Sequence, residues 1–193
     1  MDKIGYFKEE LSYILNPKIR EFAEKAVDSL PDYFFMIPAS STMRYHPAYA
    51  LTDGGLLKHT KAAIRIAVEL FRTDLWKFTE DEKDLIIAGI MVHDGFKSGV
   101  IKEKYTRADH PNIVVSELSK NEELHSLIPE DQFNFFCENI KSHMGKWNMT
   151  FDTKQEILEK PKSTAQRFFH LCDYLASRKC LEFNFDIPVS RNE

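Results

Sequence analysis

Apolar residues recur at intervals of three and four along most of the chain, which is the period of amphipathic α-helices. Near the start this pattern crosses Asn16-Pro17, a helix cap followed by a proline in the first turn, so we expect two short opening helices. The apolar positions there are Ile14, Ile19, Phe22, Ala26 and Leu30. No stretch alternates in the way of a β-strand. The pattern therefore predicts an all-α fold.

Residues 31–52 interrupt the helical period. This segment, PDYFFMIPASSTMRYHPAYALT, contains three prolines and several small hydroxyl residues. It is predicted to be a loop laid over the domain. Loops of this length are uncommon unless they are functional.

The central part of the chain predicts two helices. Asp53 is expected to cap a helix that begins at Gly54-Gly55 and turns His59 inward with its apolar face. Thr79 and Glu82 form a capping-box signature for the next helix, whose segment LIIAGIMV is apolar on nearly every side. That helix should be central. Further helical patterns cover about 109–120, with Asp109 as a possible cap, 130–144 and 162–182.

Composition narrows the function classes. A chain of 193 residues fits one domain, and a net charge of -4 with a pI near 6.0 disfavours binding to long duplex nucleic acid. Three cysteines without a CxxC pair are typical of a reducing compartment. Neither a signal region nor an apolar run of ~18 residues is found, so we expect a cytoplasmic protein without a membrane partner. The oligomeric state is not predicted.

Several polar residues fall on faces that should be buried. Single buried histidines are usually hydrogen-bonded core residues. Here, however, His and Asp occur on separate helices of one small core, where one or two divalent cations would satisfy them together. The inward positions are His59, His93, Asp94, His143 and Asp173, and His110, just before Pro111, could reach the same site from a helix end. Asp94 has two oxygens with which to bridge two ions.

The order of these residues resembles a known family. His59, the His93-Asp94 pair and Asp173 are similar to the H...HD...D signature of the HD-domain metal-dependent phosphohydrolases, an all-α superfamily. His110-Pro111 and Ser142-His143 resemble the additional histidines of its binuclear members, which include the HD-GYP cyclic-dinucleotide phosphodiesterases. Lys97 fits the lysine of their HDxxK motif.

The preceding segment, FMIPASSTMRYHPAYALTDGGLLKHT, resembles the lead-in to the HD domain of bacterial 3′ to 5′ exoribonucleases that carry an OB-fold. This sequence contains neither an OB-fold pattern nor a GYP sequence. The resemblance implies a single HD domain over residues 1–183, a helical bundle followed by a C-terminal tail at 184–193. Its parts would be N-terminal helices at 1–30, a substrate-side loop over the metal site at 31–52 and a metal-binding core at 53–183.

The implied ligand set holds two divalent transition-metal ions. One ion is assigned to His59, His93, Asp94 and Asp173, and the second to His110, His143 and the bridging Asp94. Imidazole-rich sets favour transition metals over magnesium; manganese or iron is preferred here, and cobalt, nickel or zinc would also fit.

The resemblance implies hydrolysis of a phosphate ester of a nucleotide, cyclic nucleotide or short oligonucleotide through a metal-bridging hydroxide. Asp94 and Lys97 are the expected catalytic residues, and Ser41, Thr42 and Arg44 the expected substrate-binding ones. A di-iron oxygenase of the HD type and a non-catalytic nucleotide-binding HD module are the alternatives, and Lys97 favours hydrolysis. The predicted site leaves out His46, His125 and His170, and Trp76, Trp147 and the Phe-rich segment 133–136 are predicted to lie in the core or at its rim.

Overall fold

The computed structural model describes residues 1–43 and 46–179. Its α-helices are α1 (Lys8–Leu11), α2 (Pro17–Asp28), α3 (Gly55–Phe71), α4 (Glu80–Val92), α5 (His110–Ser119), α6 (Glu122–His125), α7 (Glu130–Ser142) and α8 (Thr164–Ala176). Short 3-10 helices lie at Gly5–Phe7, Asp32–Phe35 and Ala48–Ala50. Over these residues the only β-type pairing is an isolated antiparallel bridge between Met149 and Glu156. The all-α prediction is confirmed.

Helix α4 lies at the centre of the bundle. Every residue from 84 to 92 is buried, and α2, α3, α7 and α8 all pack against it. A helix that is apolar all round is stable only when its neighbours cover every face. Between two of those neighbours, the rings of Phe22 and Phe136 meet edge to face at 4.9 Å. The C-terminal end of α4, where His93 and Asp94 follow, therefore lies inside the domain.

Two of the predicted helix starts are confirmed. The side chain of Asn16 accepts a hydrogen bond from the backbone N–H of Lys18 at 3.0 Å, with Pro17 in the first turn. Thr79 and Glu82 form the reciprocal capping box at the start of α4. Each side chain satisfies an N–H group that the first helical turn leaves without a partner.

The prediction that Asp53 caps α3 is wrong. Gly54 occupies the cap position in a left-handed conformation, φ 67°, and no side chain caps the helix. Carbonyl groups of the preceding loop accept from the first N–H groups instead: Gly54 donates to Met36 at 2.8 Å and Leu56 to Ile37 at 2.9 Å. Because loop carbonyls already fill this role, a side-chain cap is not needed.

Two further predictions are corrected. Asp109 precedes α5, but its carboxylate does not cap the helix; it accepts from Nε and Nη2 of Arg107, both at 2.9 Å. A two-pronged charged pair of this kind outcompetes a single cap hydrogen bond. The helix predicted over 162–182 ends at Ala176, where the N–H of Ser177 donates to the carbonyls of Asp173 and Tyr174; residues 180–182 lie outside the described part.

The segment 31–52 folds back over the start of α3. The backbone N–H of Ala39 donates to the carbonyl of Ala50 at 2.9 Å, which closes the loop on itself. Phe34 and Phe35, which belong to this segment, are buried. The Tyr33 hydroxyl donates to the carbonyl of Gly99 at 2.6 Å and so ties the loop to the chain that follows α4. None of the helices in the described ranges combines the length and the apolar character that a membrane span requires.

Candidate metal centre

The six predicted metal ligands converge on one point in the bundle. His59 lies on α3, Asp173 on α8, and His110 is the first residue of α5. His93 and His143 are the C-terminal cap residues of α4 and α7. The four histidines and Asp94 are buried. Helices that are far apart in sequence thus bring their polar ends together in the core.

Asp94 lies in the middle of this cluster, and its two oxygens face different histidines. Oδ1 is 2.9 Å from Nε2 of His110 and 3.7 Å from Nε2 of His143. Oδ2 is 3.6 Å from Nε2 of His93 and 4.0 Å from Nε2 of His59. Each carboxylate oxygen therefore has its own pair of imidazole neighbours.

Backbone carbonyls fix the orientation of three of the imidazoles. Nδ1 of His93 is 2.7 Å from the carbonyl of Ile90, Nδ1 of His110 is 2.7 Å from that of Arg107, and Nδ1 of His143 is 2.8 Å from that of Ile140. A carbonyl oxygen can only accept, so each Nδ1 must carry the proton. In its neutral form each ring then directs the bare lone pair of Nε2 into the cluster, which is how metal-binding histidines are held.

These bare lone pairs face one another without a proton between them. Nε2 of His110 and Nε2 of His143 are only 3.2 Å apart. A hydrogen bond between them would need one ring to be doubly protonated, and burial opposes that charge, lowering the pKa of His143 to about 4. In the described part of the chain, Nε2 of His93 and Oδ1 of Asp94 are buried without a hydrogen bond. A cation would satisfy all of these acceptors.

Asp173 closes the other side of the cluster. Its Oδ1 is 2.9 Å from Nε2 of His59 and 3.4 Å from Nε2 of His93. Together the described residues offer three overlapping groups of close ligand atoms: His59, His93 and Asp94; His93, His143 and Asp173; and Asp94, His110 and His143. The first and third groups share Asp94.

Both carboxylates of the site stay ionised although they lie in the core. Burial alone would raise the pKa of Asp94, but the positive charge of Lys97 and the neighbouring imidazoles hold it well below its usual value. Asp173 behaves likewise, since His59 and His93 offset its burial and lower its pKa. Burial opposes the charged form of His93, yet the neighbouring carboxylates raise its pKa. Two ionised carboxylates in one core attract a cation.

Lys97 is the one predicted catalytic residue that supplies positive charge. Its Nζ lies 2.5 Å from Oδ2 of Asp94, and the side chain is only 13 % exposed. The turn that follows α4 brings it there, because the N–H of Lys97 donates to the carbonyl of Asp94 at 3.0 Å. The ammonium group is thus at the edge of the cluster, between buried ligands and solvent.

Among the described residues, neither Ser41 nor Thr42 forms a hydrogen bond with this cluster. Ser41 and Thr42 are exposed; Ser41 Oγ lies 3.4 Å from the Thr106 hydroxyl, and Thr42 Oγ1 lies 3.3 Å from Ser40 Oγ. Arg44 falls outside the described residues. Their role in binding substrate stays a prediction.

Sequence reasoning missed His46. Its ring meets that of His59 edge to face at 4.9 Å, and its Nδ1 is buried without a hydrogen-bond partner among the described residues. Burial, with the positive fields of His59 and Lys97, lowers the pKa of His46 to about 3, so the ring is neutral. Helical periodicity could not find a loop residue; its place in a long loop beside Pro47 was the only signal.

The other two excluded histidines differ from each other. His125 is exposed. Nδ1 of His170 lies 2.6 Å from the carbonyl of His143. Cys172 is buried, a free thiol, and absent from the groups of close ligand atoms.

Comparison with known proteins agrees with this geometry. The family model of the HD domain matches residues 56–178, more than half of the chain. The chain therefore belongs to the HD domain family, within the superfamily of HD-domain metal-dependent phosphohydrolases, whose members bind divalent metal ions. Neither the search of curated proteins nor the search of solved structures found a match.

Proposed function

We propose that this chain is a phosphodiesterase that uses two divalent transition-metal ions to hydrolyse a phosphate ester of a nucleotide, cyclic nucleotide or short oligonucleotide. The observation that carries the proposal is the set of acceptor atoms that point at one another in the core. Nε2 of His110 lies 2.9 Å from a carboxylate oxygen of Asp94 and 3.2 Å from Nε2 of His143, and in neutral rings the Nδ1 bonds leave neither nitrogen a proton. Such an arrangement is costly unless a cation lies among the acceptors.

The donor set fits metal ions of the transition series. His59, His93, Asp94 and Asp173 would hold one ion, and His110, His143 and Asp94 the other; imidazole nitrogen with carboxylate oxygen suits manganese or iron. When bound, a metal pair supplies Lewis acidity for a phosphoryl group and a nucleophilic water at neutral pH. The protein contributes the fixed orientation of the ligands in a site closed off by the surrounding helices.

Lys97 supports hydrolysis over the redox chemistry of an oxygenase. Its ammonium group is beside Asp94 and retains partial access to solvent, so it can donate to a non-bridging phosphate oxygen. Preorganised donors of this kind contribute about 10²- to 10³-fold to turnover. An oxygenase reaction has no phosphate group whose charge Lys97 could complement, so the lysine would not accelerate it in this way.

The substrate class follows from the resemblance of the lead-in segment to that of exoribonucleases and from the binuclear ligand pattern. We assign Ser41, Thr42 and Arg44, on the loop before α3, to contacts with the substrate. The Ser41 and Thr42 hydroxyl groups are exposed and could turn to a phosphate or a sugar.

The test is turnover of bis-p-nitrophenyl phosphate by protein loaded with manganese or iron, compared with Asp94→Asn. The substitution keeps the shape of the side chain and removes the bridging charge, so activity should fall by about 10³-fold or more. Lys83→Gln, a change of a partly exposed lysine near the start of α4, is the control and should keep full activity. Loaded wild type that releases no nitrophenol but consumes oxygen with reduced iron would contradict the proposal.

A further inference from the structure

A partly exposed aromatic stack adjoins the metal centre. The rings of Trp147 and Tyr174 lie almost parallel, at 19° and 5.8 Å between centroids. The guanidinium carbon of Arg178 is 4.5 Å from the centroid of Tyr174 and 5.7 Å from that of Trp147. Trp147 is 42 % exposed. We call Trp147, Tyr174 and Arg178 the aromatic stack.

A tight turn after α7 places the stack next to two of the candidate metal ligands. Gly145 has φ 58°, and a Cβ atom there would lie 2.3 Å from the ring of His170, so only glycine allows the chain to pass this close to α8. His170 in turn bonds the carbonyl of His143. Trp147 follows His143 by four residues, and Tyr174 follows Asp173 directly. Helix α8 thus carries both Tyr174 of the stack and the candidate ligand Asp173, and the turn after α7 links Trp147 to His143.

Charge distinguishes the stack from an ordinary aromatic contact. The chain as a whole carries a net charge of -4, but Lys146 and Arg178 both lie over the rings, with Lys146 Nζ 4.8 Å from the centroid of Trp147. Within residues 1–43 and 46–179, neither cation forms an ion pair with a carboxylate. Two unpaired cations and an exposed indole provide both partners that a nucleotide needs, charge for phosphate and a π surface for the base.

Packing explains the stack only in part. The other tryptophan, Trp76, is partly buried and packs on Phe168 at 5.0 Å within the cluster formed by Phe71 and Phe78. Trp147 instead is among the exposed large hydrophobic residues and is absent from the core and the residues packed against it. The indole face is thus accessible to a ligand from solvent, as the buried rings of the core are not.

We infer that the aromatic stack is the nucleobase subsite of the proposed phosphodiesterase, where the base of a nucleotide stacks on Trp147 while its phosphate lies at the centre around Asp94. The inference rests on the proposed function and names its substrate class. Stacking accepts every base, because each has a π face, so the subsite selects nucleotides over simple phosphate esters without selecting a sequence.

Two esters with the same leaving group test the subsite. Thymidine 5′-(p-nitrophenyl phosphate) and methyl p-nitrophenyl phosphate both release nitrophenol and differ in the presence of a base. In Trp147→Ala, kcat/KM for the thymidine ester should fall by about 5- to 30-fold, chiefly through KM, as expected for one base–aromatic stack. The methyl ester should change by less than about twofold, because it has no base to stack on Trp147.

Two further variants separate stacking from loss of structure. Trp147→Phe keeps an aromatic face and should retain most of the preference for the thymidine ester. Phe151→Ala removes an aromatic side chain that is 64 % exposed and outside the stack, and should leave both esters unchanged. Equal losses on both esters in Trp147→Ala, or no loss on either, would overturn the subsite.

A binding measurement keeps the two proposals apart. In Trp76→Phe, Trp147 is the sole tryptophan, and thymidine 5′-monophosphate should quench its fluorescence saturably, whereas methyl phosphate should not. If wild type hydrolysed neither ester, the proposed function would be contradicted and the quenching would still decide the subsite. Saturable quenching by the nucleotide alone would support it, and quenching by neither or by both ligands would overturn it.

Discussion

The buried ion pair between Lys97 and Asp94 predicts how stability depends on metal. Lys97→Met removes the cation 2.5 Å from Oδ2 of Asp94, whose side chain is only 2 % exposed. Breaking a buried pair costs about 3–5 kcal/mol, because the remaining charge is left without compensation. His93 and His110 still lie near the carboxylate, so we expect about 3 kcal/mol, the lower end of that range.

Metal should remove most of this loss. A cation held by Asp94 and the histidines would neutralise the carboxylate, so Lys97→Met should cost less than about 1 kcal/mol in metal-loaded protein, as for an exposed pair. In chelator, the loss should lower the melting temperature by about 6–12 °C for a chain of this size. The metal should thus stabilise the variant more than it stabilises wild type.

Urea unfolding followed by circular dichroism, in chelator and in excess manganese, measures the loss in the free energy of unfolding without and with metal. Lys97→Arg keeps the charge and should keep most of the stability. The matched control is Lys83→Met, which breaks a partly exposed surface pair with Glu80 at 2.6 Å on α4 and should cost about 0–1 kcal/mol in either condition. An equal loss for Lys97→Met with and without metal, or a loss no larger than that of Lys83→Met, would refute the reasoning.

Three further predictions concern other parts of the domain. His110→Ala should lower the metal content by about one ion per chain, while the ligands around His59 retain their own ion. Elemental analysis that still finds the wild-type metal content would contradict this prediction. Asp84→Ala should cost about 2–4 kcal/mol in urea unfolding, since its buried carboxylate accepts from two backbone N–H groups that precede α2, and a loss below about 0.5 kcal/mol would refute that role. Burial raises the pKa of Cys137 to about 12 and also raises that of Cys172; at pH 8 both thiols should react with Ellman's reagent only after unfolding, and fast reaction of the folded protein at either would be inconsistent with burial.

The parts of the fold that depend on local pattern could be predicted from the sequence. Apolar periodicity identified α4 as the central helix, and the capping box of Thr79 is visible in the letters themselves. Local pattern gave a wrong prediction where a distant segment supplied the hydrogen-bond partners of a helix start. Asp53 has the chemistry of a cap, but the loop carbonyls of Met36 and Ile37 satisfy the start of α3 instead. Sequence spacing cannot show contacts of that kind.

The residues of the candidate site likewise differ in whether local pattern could identify them. His59, His93 and Asp173 could be identified because a polar residue on an apolar helical face points into the core. His46 could not, since a loop residue has no periodicity from which its direction follows. Trp147 was placed in the core or at its rim, and its stacking on Tyr174 became visible only once the turn after α7 had been located.

We propose that the acceptor atoms around Asp94 hold a pair of metal ions. The most direct measurement is elemental analysis of protein purified without chelator, for wild type and for Asp94→Ala, with circular dichroism to verify the fold of both. The account predicts close to two transition-metal ions per wild-type chain and at most one in the folded variant, because the bridging carboxylate is lost. A folded wild-type chain that contains no metal and takes up none from manganese or iron solutions would contradict it.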